Sequence, residues 1–138
     1  MTYTLTFEQK SAYLHAAVTG QNTRENVLAY MEAIVRECAA RNCWTVLIEE
    51  RLEGARLGTL DVFDIASQGG RRSVGKFEAM AYVDVHAASG LMRFAENVAV
   101  NRGLPVRVFP TVDAAAEWLL HRDREAPAPR VGGISESP

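Results

Sequence analysis

The chain has 138 residues, of which 48% are hydrophobic and 23% are charged. This composition is ordinary for a globular protein, and the length is that of a single domain. The net charge of −2 argues against a nucleic-acid partner, because no large positive field would attract phosphates. We also expect a cytoplasmic protein, since the sequence shows neither an apolar run of about 18 residues for a transmembrane helix nor a signal-peptide pattern at its start.

The N-terminal residues predict a β-hairpin. Residues 3–8 alternate apolar and polar side chains, which is typical of a half-buried strand. A short turn then leads into a second apolar-rich strand over residues 11–19, which we expect to end at Gly20. Because the link between the two strands is short, they should pair antiparallel.

The first helix is the clearest periodic pattern in the chain. Asn22 or Thr23 caps it, with Glu25 at the capping-box spacing from Asn22, and it ends near residues 41–42. The apolar residues then recur at helical spacing and predict one buried face. That face consists of Val27, Leu28, Met31, Ile34, Val35 and Cys38.

The middle of the chain predicts a buried strand and a second helix. Residues 44–48 form a compact apolar run, typical of a central strand buried on both faces, and residues 49–51 end it. Residues 52–58 form a loop that contains two glycines. Thr59 then caps a helix over residues 60–68.

The last part of the domain alternates strands and helices. Residues 77–85 predict a fourth strand, and residues 106–109 a fifth. Between them lies a helix that Ser89 caps and Gly103 ends, because glycine adopts positive φ without strain. Thr111 caps the final helix. The third helix should bury one stripe, formed by Leu91, Phe94, Ala95, Val98 and Arg102.

These elements give the order ββαβαβαβα, which predicts an α/β fold with one mixed β-sheet of about five strands and about four flanking helices. We assign residues 1–122 to this domain. Residues 123–138 hold three of the five prolines and few aliphatic side chains, so we expect a flexible C-terminal tail.

The two cysteines, Cys38 and Cys43, lack a second pair of metal-ligating residues at zinc-site spacing. Cys38 lies on the apolar face of the first helix, and Cys43 lies just before a strand. In a chain without an export signal we expect two reduced, mostly buried thiols, with a redox pair as the alternative.

Candidate binding residues cluster where the parallel strands should end. Ligands of open α/β sheets favour the carboxyl ends of the strands, where helix N-termini also offer free N–H groups. The sequence therefore predicts a small cleft with an acidic rim, and it predicts no catalytic residues, metal ligands or cofactor. The alternative is that these polar residues only mark where the sheet leaves the core. The candidates are Glu49, Glu50, Arg51, Gly54, Arg56, Gly58, Thr59, Asp84 and His86.

Three features resemble the STAS/SpoIIAA-like domains of bacterial anti-sigma-factor antagonists. They are the strand at residues 46–49, the loop from there to Thr59, and the strand-to-helix signature at residues 103–119. The predicted element order is also similar to that fold. The bacterial STAS-like group that is compared with Sec14-like lipid carriers resembles this chain most.

The resemblance implies a non-enzymatic regulatory module that binds a protein partner. In the family's antagonists, a serine in an Asp-Ser step at the start of the second helix is phosphorylated, which turns partner binding off. That step is absent here, and Thr59 is the nearest hydroxyl, so the resemblance makes it a candidate phospho-acceptor. The alternative is a Sec14-like carrier of a lipid or another apolar ligand, with a cavity under the second helix lined by Leu57, Leu60, Val62, Phe63 and Ile65. Assembly as a homodimer is open, and a small hydrolase or isomerase is a third alternative.

Overall fold

A computed structural model describes residues 3–54, 57–58, 61, 64–68, 76–84 and 89–125. It shows a single mixed sheet of five strands whose spatial order is the same as their order along the chain. The first strand pairs antiparallel with the second, and all later pairings are parallel. The predicted α/β class and the N-terminal hairpin are therefore confirmed. The strands are β1 (Tyr3–Gln9), β2 (Leu14–Gln21), β3 (Thr45–Glu53), β4 (Ala79–Val83) and β5 (Val106–Phe109).

Four helices accompany the sheet. They are α1 (Arg24–Arg41), a short segment α2 (residues 64–68), α3 (Gly90–Asn101) and α4 (Val112–Glu125). α1 packs on β2, and α3 packs on β5, from the same side of the sheet, which we call the front face. α4 packs on β3, β4 and β5 from the opposite side, the back face.

The two faces have separate cores because successive side chains of a strand point to opposite sides. On β3, Val46 and Ile48 belong to the front core, whereas Leu47 belongs to the back core. All three are fully buried. This double burial explains why the strand reads as a continuous apolar run, as predicted for a central strand.

Two strand boundaries differ from the predictions. β2 begins at Leu14 rather than at residue 11, and it continues through Gly20, whose φ of 135° suits glycine and does not interrupt the pairing with β1. β3 does not end at residue 48. It continues to Glu53 because its backbone stays paired with β2 as far as Gln21.

The buried faces of two helices also differ from the predictions. Of the two predicted caps of α1, Thr23 is the N-cap, so the capping-box role of Asn22 is wrong. α1 buries Tyr30 completely, although this tyrosine was absent from the predicted core face. On α3, Phe94 is 37% exposed, and Met92 and Ala99 are buried instead. The stripe of α3 is thus rotated from the predicted one.

The predicted ends of α3 and the predicted start of α4 are accurate. The hydroxyls of Ser89 and Thr111 accept hydrogen bonds from the third residues of α3 and α4, at 3.2 and 3.1 Å. Gly103 follows α3 with a φ of 96°, as expected for a glycine stop. β4 is shorter than predicted, and α4 extends to Glu125, so the predicted tail begins no earlier than residue 126. Residues 126–138 lie outside the described residues.

The two cysteines are free thiols in different surroundings. Cys38 is completely buried, and burial raises the pKa of its thiol to about 12. Cys43 is only partly buried. Because the thiolate is the reactive form, we expect iodoacetamide to alkylate Cys43 in the folded protein and to reach Cys38 only after unfolding. Peptide mapping by mass spectrometry, with the urea-unfolded protein as control, measures both sites. Equal labelling of both cysteines in the folded state would contradict the burial of Cys38.

Candidate functional site

The front face contains a cavity of about 510 Å³ between α1 and α3. β3, β4 and β5 form its floor, and α2 contributes Ile65, Ala66 and Gln68. Close-packed protein interiors hold few voids larger than a water molecule, whereas ligand pockets measure roughly 300–1,000 Å³. The cavity therefore has the dimensions of a ligand site rather than of a packing defect.

Apolar side chains form most of the cavity wall. α3 turns the small residues Ala95 and Ala99 toward the cavity, and this leaves space that larger side chains would fill. The apolar lining from α1 is Val27, Leu28, Met31, Ile34 and Val35, and the apolar lining from the other elements includes Leu57, Phe77, Met80, Leu91, Met92, Leu104, Val106 and Val108. The polar residues Asn22, Glu32, Gln68, Lys76 and Glu96 also line the cavity.

One end of the cavity is polar. We call Glu50, Tyr82 and Asp84 the polar end; all three line the cavity where β3 and β4 approach their carboxyl ends. The Tyr82 hydroxyl lies 3.0 Å from the hydroxyl of Tyr30, which α1 buries completely. Burial raises the pKa of both phenols, and the nearby charges of Glu50 and Asp84 raise it further.

Side-chain contacts connect α2 to both neighbouring helices. Arg24, at the start of α1, donates a hydrogen bond to the Asp64 carboxylate at 3.1 Å. At the other end of α2, Arg102 donates to the Ser67 hydroxyl at 3.1 Å. Since Arg102 is the C-cap of α3, α2 spans from α1 to α3 over the cavity that both helices line.

A second polar cluster lies on the back face. The carboxylate of Glu49, which is buried, contacts the His15 ring nitrogen Nε2 at 2.9 Å and also pairs with Arg51. Parallel pairing places Glu49 opposite Ala17, two residues after His15, so both side chains point to the same face. Because removing a charge from water is costly, a buried carboxylate such as that of Glu49 needs partners, and here it has two.

The predicted candidates divide between the two faces of the sheet. Glu50 and Asp84 come together at the polar end of the cavity, whereas Glu49 and Arg51 lie on the back face. Gly54 follows β3 with a φ of 106°, and Gly58 is exposed. Leu57 and Ile65, expected to line a cavity under the second helix, do line the observed one. Outside the described residues lie Arg56, Thr59, Leu60, Val62, Phe63 and His86.

Three site residues were missed from the sequence, and two of them had a detectable signal. Tyr30 follows Val27 by three positions and precedes Ile34 by four, so it belongs to the helical stripe of α1. Tyr82 alternates with Met80 along β4 and shares its face. His15 required the register between β2 and β3, which the sequence does not specify on its own.

The described parts of the chain contain no group of three or more His, Cys, Asp or Glu residues placed to hold a metal ion. Within the same parts, no helix combines the length and apolar character needed to cross a membrane.

Comparisons of the chain with protein-family models, with curated proteins and with solved structures found no match.

Proposed function

We propose that this protein is a non-enzymatic module that binds an apolar small molecule in the front-face cavity. The observation that carries the proposal is the cavity itself, which measures about 510 Å³ and has mostly apolar walls. A largely apolar pocket of several hundred cubic ångströms is the feature that separates a carrier from a closed interaction domain. The Sec14-like alternative from the sequence is therefore the leading proposal.

The packing of the surrounding helices supports binding in this cavity. A void that no side chain fills deprives the surrounding atoms of contacts and weakens the fold, and a ligand would restore those contacts. A few polar groups at one end of an apolar pocket are also the usual arrangement for orienting a ligand. Here Glu50, Tyr82 and Asp84 occupy that position.

The back-face cluster of His15, Glu49 and Arg51 supports catalysis less well than the front-face cavity supports ligand binding. A carboxylate next to a histidine can transfer protons, and His15 and Glu49 have suitable contact geometry. The third member of this cluster is Arg51, however, which is a cation and not a nucleophile. For this reason we propose a binding function rather than a hydrolase or isomerase.

A second candidate function is protein binding by a regulatory module of STAS-like type, through the back face. α4 packs on β3, β4 and β5, whereas Thr4, Thr6 and Thr19 on the back face of β1 and β2 are exposed. Arg51, 68% exposed, lies next to this polar surface. A protein partner would bind this surface without using the cavity, so cavity variants separate the two functions.

The cavity proposal is tested by filling the space. We expect the neutral dye Nile red to bind the wild-type protein with a blue-shifted emission, and 1-decanol to displace it. The variant Ala95→Trp places an indole in the cavity, and the Kd for Nile red should rise at least tenfold, or about 1.4 kcal/mol. Fluorescence titration measures the Kd.

The matched control is Ala40→Trp, the same change at an exposed position of α1. It should leave the Kd unchanged. Thermal melts of both variants show whether the fold is retained. If the folded Ala95→Trp variant binds Nile red as tightly as the wild type does, or if the wild type does not bind it, the front-face cavity is not a ligand site.

A further inference from the structure

The two edges of the sheet differ in how they are protected from pairing with another chain. β5 is one edge strand and β1 is the other. β5 has only four residues, lies between Pro105 and Pro110, and carries the exposed Arg107. Short length, proline and charge are the usual means by which an edge strand avoids such pairing. β1 has seven residues, and its run from Tyr3 to Phe7 contains neither proline nor charge. Among the described strands, β1 therefore forms the unprotected edge.

The outer side of β1 carries backbone groups that β2 does not use. The Lys10 N–H donates to the Tyr13 carbonyl oxygen at 2.9 Å, and in an antiparallel pair such bonds recur at every second residue. The backbone groups of Tyr3, Leu5 and Phe7 therefore point away from β2. No described strand pairs with them. Such a row of N–H and C=O groups is a template for one more strand.

The side-chain pattern of β1 is the same in both directions from Leu5. Tyr3 and Phe7 are both aromatic, and Thr4 and Thr6 are identical. The apolar three pack toward the front core, whereas the two threonines are exposed on the back face. If a second β1 pairs antiparallel with Leu5 opposite Leu5, Tyr3 meets Phe7 and Thr4 meets Thr6. Aromatic pairs and Thr–Thr pairs are cross-strand combinations that stabilise a sheet.

The position of α1 favours the same pairing. α1 packs on both β1 and β2, so it lies close to this edge of the sheet. Because neighbouring strands are about 4.8 Å apart, a copy of α1 across the edge would lie about 10 Å from the first. Helices pack at about 8–10 Å. Beneath α1 the side chains of Tyr3, Leu5 and Phe7 are only half-buried, and the second helix would cover them further.

We propose that two copies of this chain associate through β1, with a twofold axis between their Leu5 residues, so that the two sheets join into one. The proposal goes beyond the ligand-binding function and does not depend on it. In this register the outward backbone groups of Tyr3, Leu5 and Phe7 in one copy face those of the other. Both copies use the same surface, so the assembly closes at two.

The wild-type chain provides the first test, by sedimentation velocity over a range of concentrations. We expect a species of twice the 15.2 kDa mass of the chain. Hydrogen exchange followed by NMR gives a second measurement. The N–H groups of Leu5 and Phe7 should exchange at least tenfold more slowly as the concentration rises through the Kd of the dimer, because pairing removes them from water. Neither measurement depends on whether a variant folds.

Two double variants assign the dimer to β1 and to this register. Thr4→Lys/Thr6→Lys places like charges opposite each other in both Thr4–Thr6 pairs, so the Kd of the dimer should rise at least tenfold, or about 1.4 kcal/mol. The matched control is Thr4→Lys/Thr6→Glu, which places opposite charges in the same pairs and should leave the Kd close to that of the wild type. Both threonines are exposed, so both variants should fold, and circular dichroism checks this.

Three results would overturn the proposal. One is a wild-type chain that sediments as a monomer at every concentration, or as assemblies larger than two copies. Another is a folded Thr4→Lys/Thr6→Lys variant that dimerises as tightly as the wild type, since the interface would then lie away from β1. The third is equal weakening of the dimer in both variants, which would contradict pairing centred on Leu5.

Discussion

The variant Ile34→Ala is expected to lower the free energy of unfolding by about 2–5 kcal/mol, the range for large-to-small substitutions in a core. Ile34 is 1% exposed and packs in the front core from the middle of α1. It also borders the cavity, so the space left by its side chain adds to a void that is already present. Neighbouring atoms cannot close that space easily, which favours the upper part of the range.

Urea unfolding monitored by circular dichroism measures this loss. The matched control is Leu120→Ala on α4, where the aliphatic side chain is 52% exposed, and its effect should stay within about 0.5 kcal/mol. A loss below about 1 kcal/mol for Ile34→Ala would mean that the front face of α1 is not packed as described, and the cavity between α1 and α3 would then lose its wall.

The element order could be predicted because the local signals agree with one another. Thr23, Ser89, Gly103 and Thr111 mark helix ends through their own backbone or hydroxyl chemistry, and each occupies the position expected from it. Strand ends lack such a signal. The continuation of β3 to Glu53 depends on pairing with β2, which is a contact between distant parts of the sequence.

The extent of β3 also determined how well the site could be predicted. With the strand expected to end at residue 48, Glu49, Glu50 and Arg51 all counted as one group at the rim. Because the strand continues, side-chain alternation sends Glu50 to the cavity and its two neighbours to the back face. The sequence therefore indicated the edge of the sheet near which these side chains lie, but it could not tell which face each side chain occupies.

The cavity could be proposed from the sequence but not measured from it. Its volume depends on how far α1 and α3 stand apart above the sheet, and it depends on small residues such as Ala95 and Ala99 on the facing side of α3. Helical periodicity was expected to bury Phe94, and the observed rotation of α3 instead exposes it. Such rotations result from the packing of several elements at once, which a periodic pattern in one helix does not determine.

The hydroxyl pair of Tyr30 and Tyr82 makes the stability of the fold sensitive to alkaline pH. Tyr30 is completely buried, and burial raises its pKa above the ordinary value of 10.0. Below about pH 10 the phenol is neutral in both the folded and the unfolded chain, so its contribution to stability is fully present. Above about pH 10 the unfolded chain loses the proton while the folded chain keeps it, which favours unfolding.

We therefore expect the wild-type free energy of unfolding to fall above about pH 10 by roughly 1.4 kcal/mol per pH unit from Tyr30 alone, with Tyr82 acting in the same direction. The double variant Tyr30→Phe/Tyr82→Phe lacks both protons and should lose less stability over the same range. Urea unfolding at pH 8, 10 and 11 measures the difference between the two proteins, in which the titration of all other groups cancels. Parallel pH profiles would contradict the burial of the Tyr30 hydroxyl.

The single variant Tyr30→Phe provides the control for the hydrogen bond at neutral pH. In the wild type the two hydroxyls lie 3.0 Å apart, and the variant leaves the Tyr82 hydroxyl without its tyrosine partner. If that hydroxyl is kept from water, the free energy of unfolding should fall by about 1–3 kcal/mol. The free energy of unfolding of the double variant should then be closer to that of the wild type than the value for the single variant is. The reason is that both polar groups are removed together. If the single variant is as stable as the wild type at pH 7, water reaches the polar end without a ligand, and the Tyr82 hydroxyl remains accessible from the cavity.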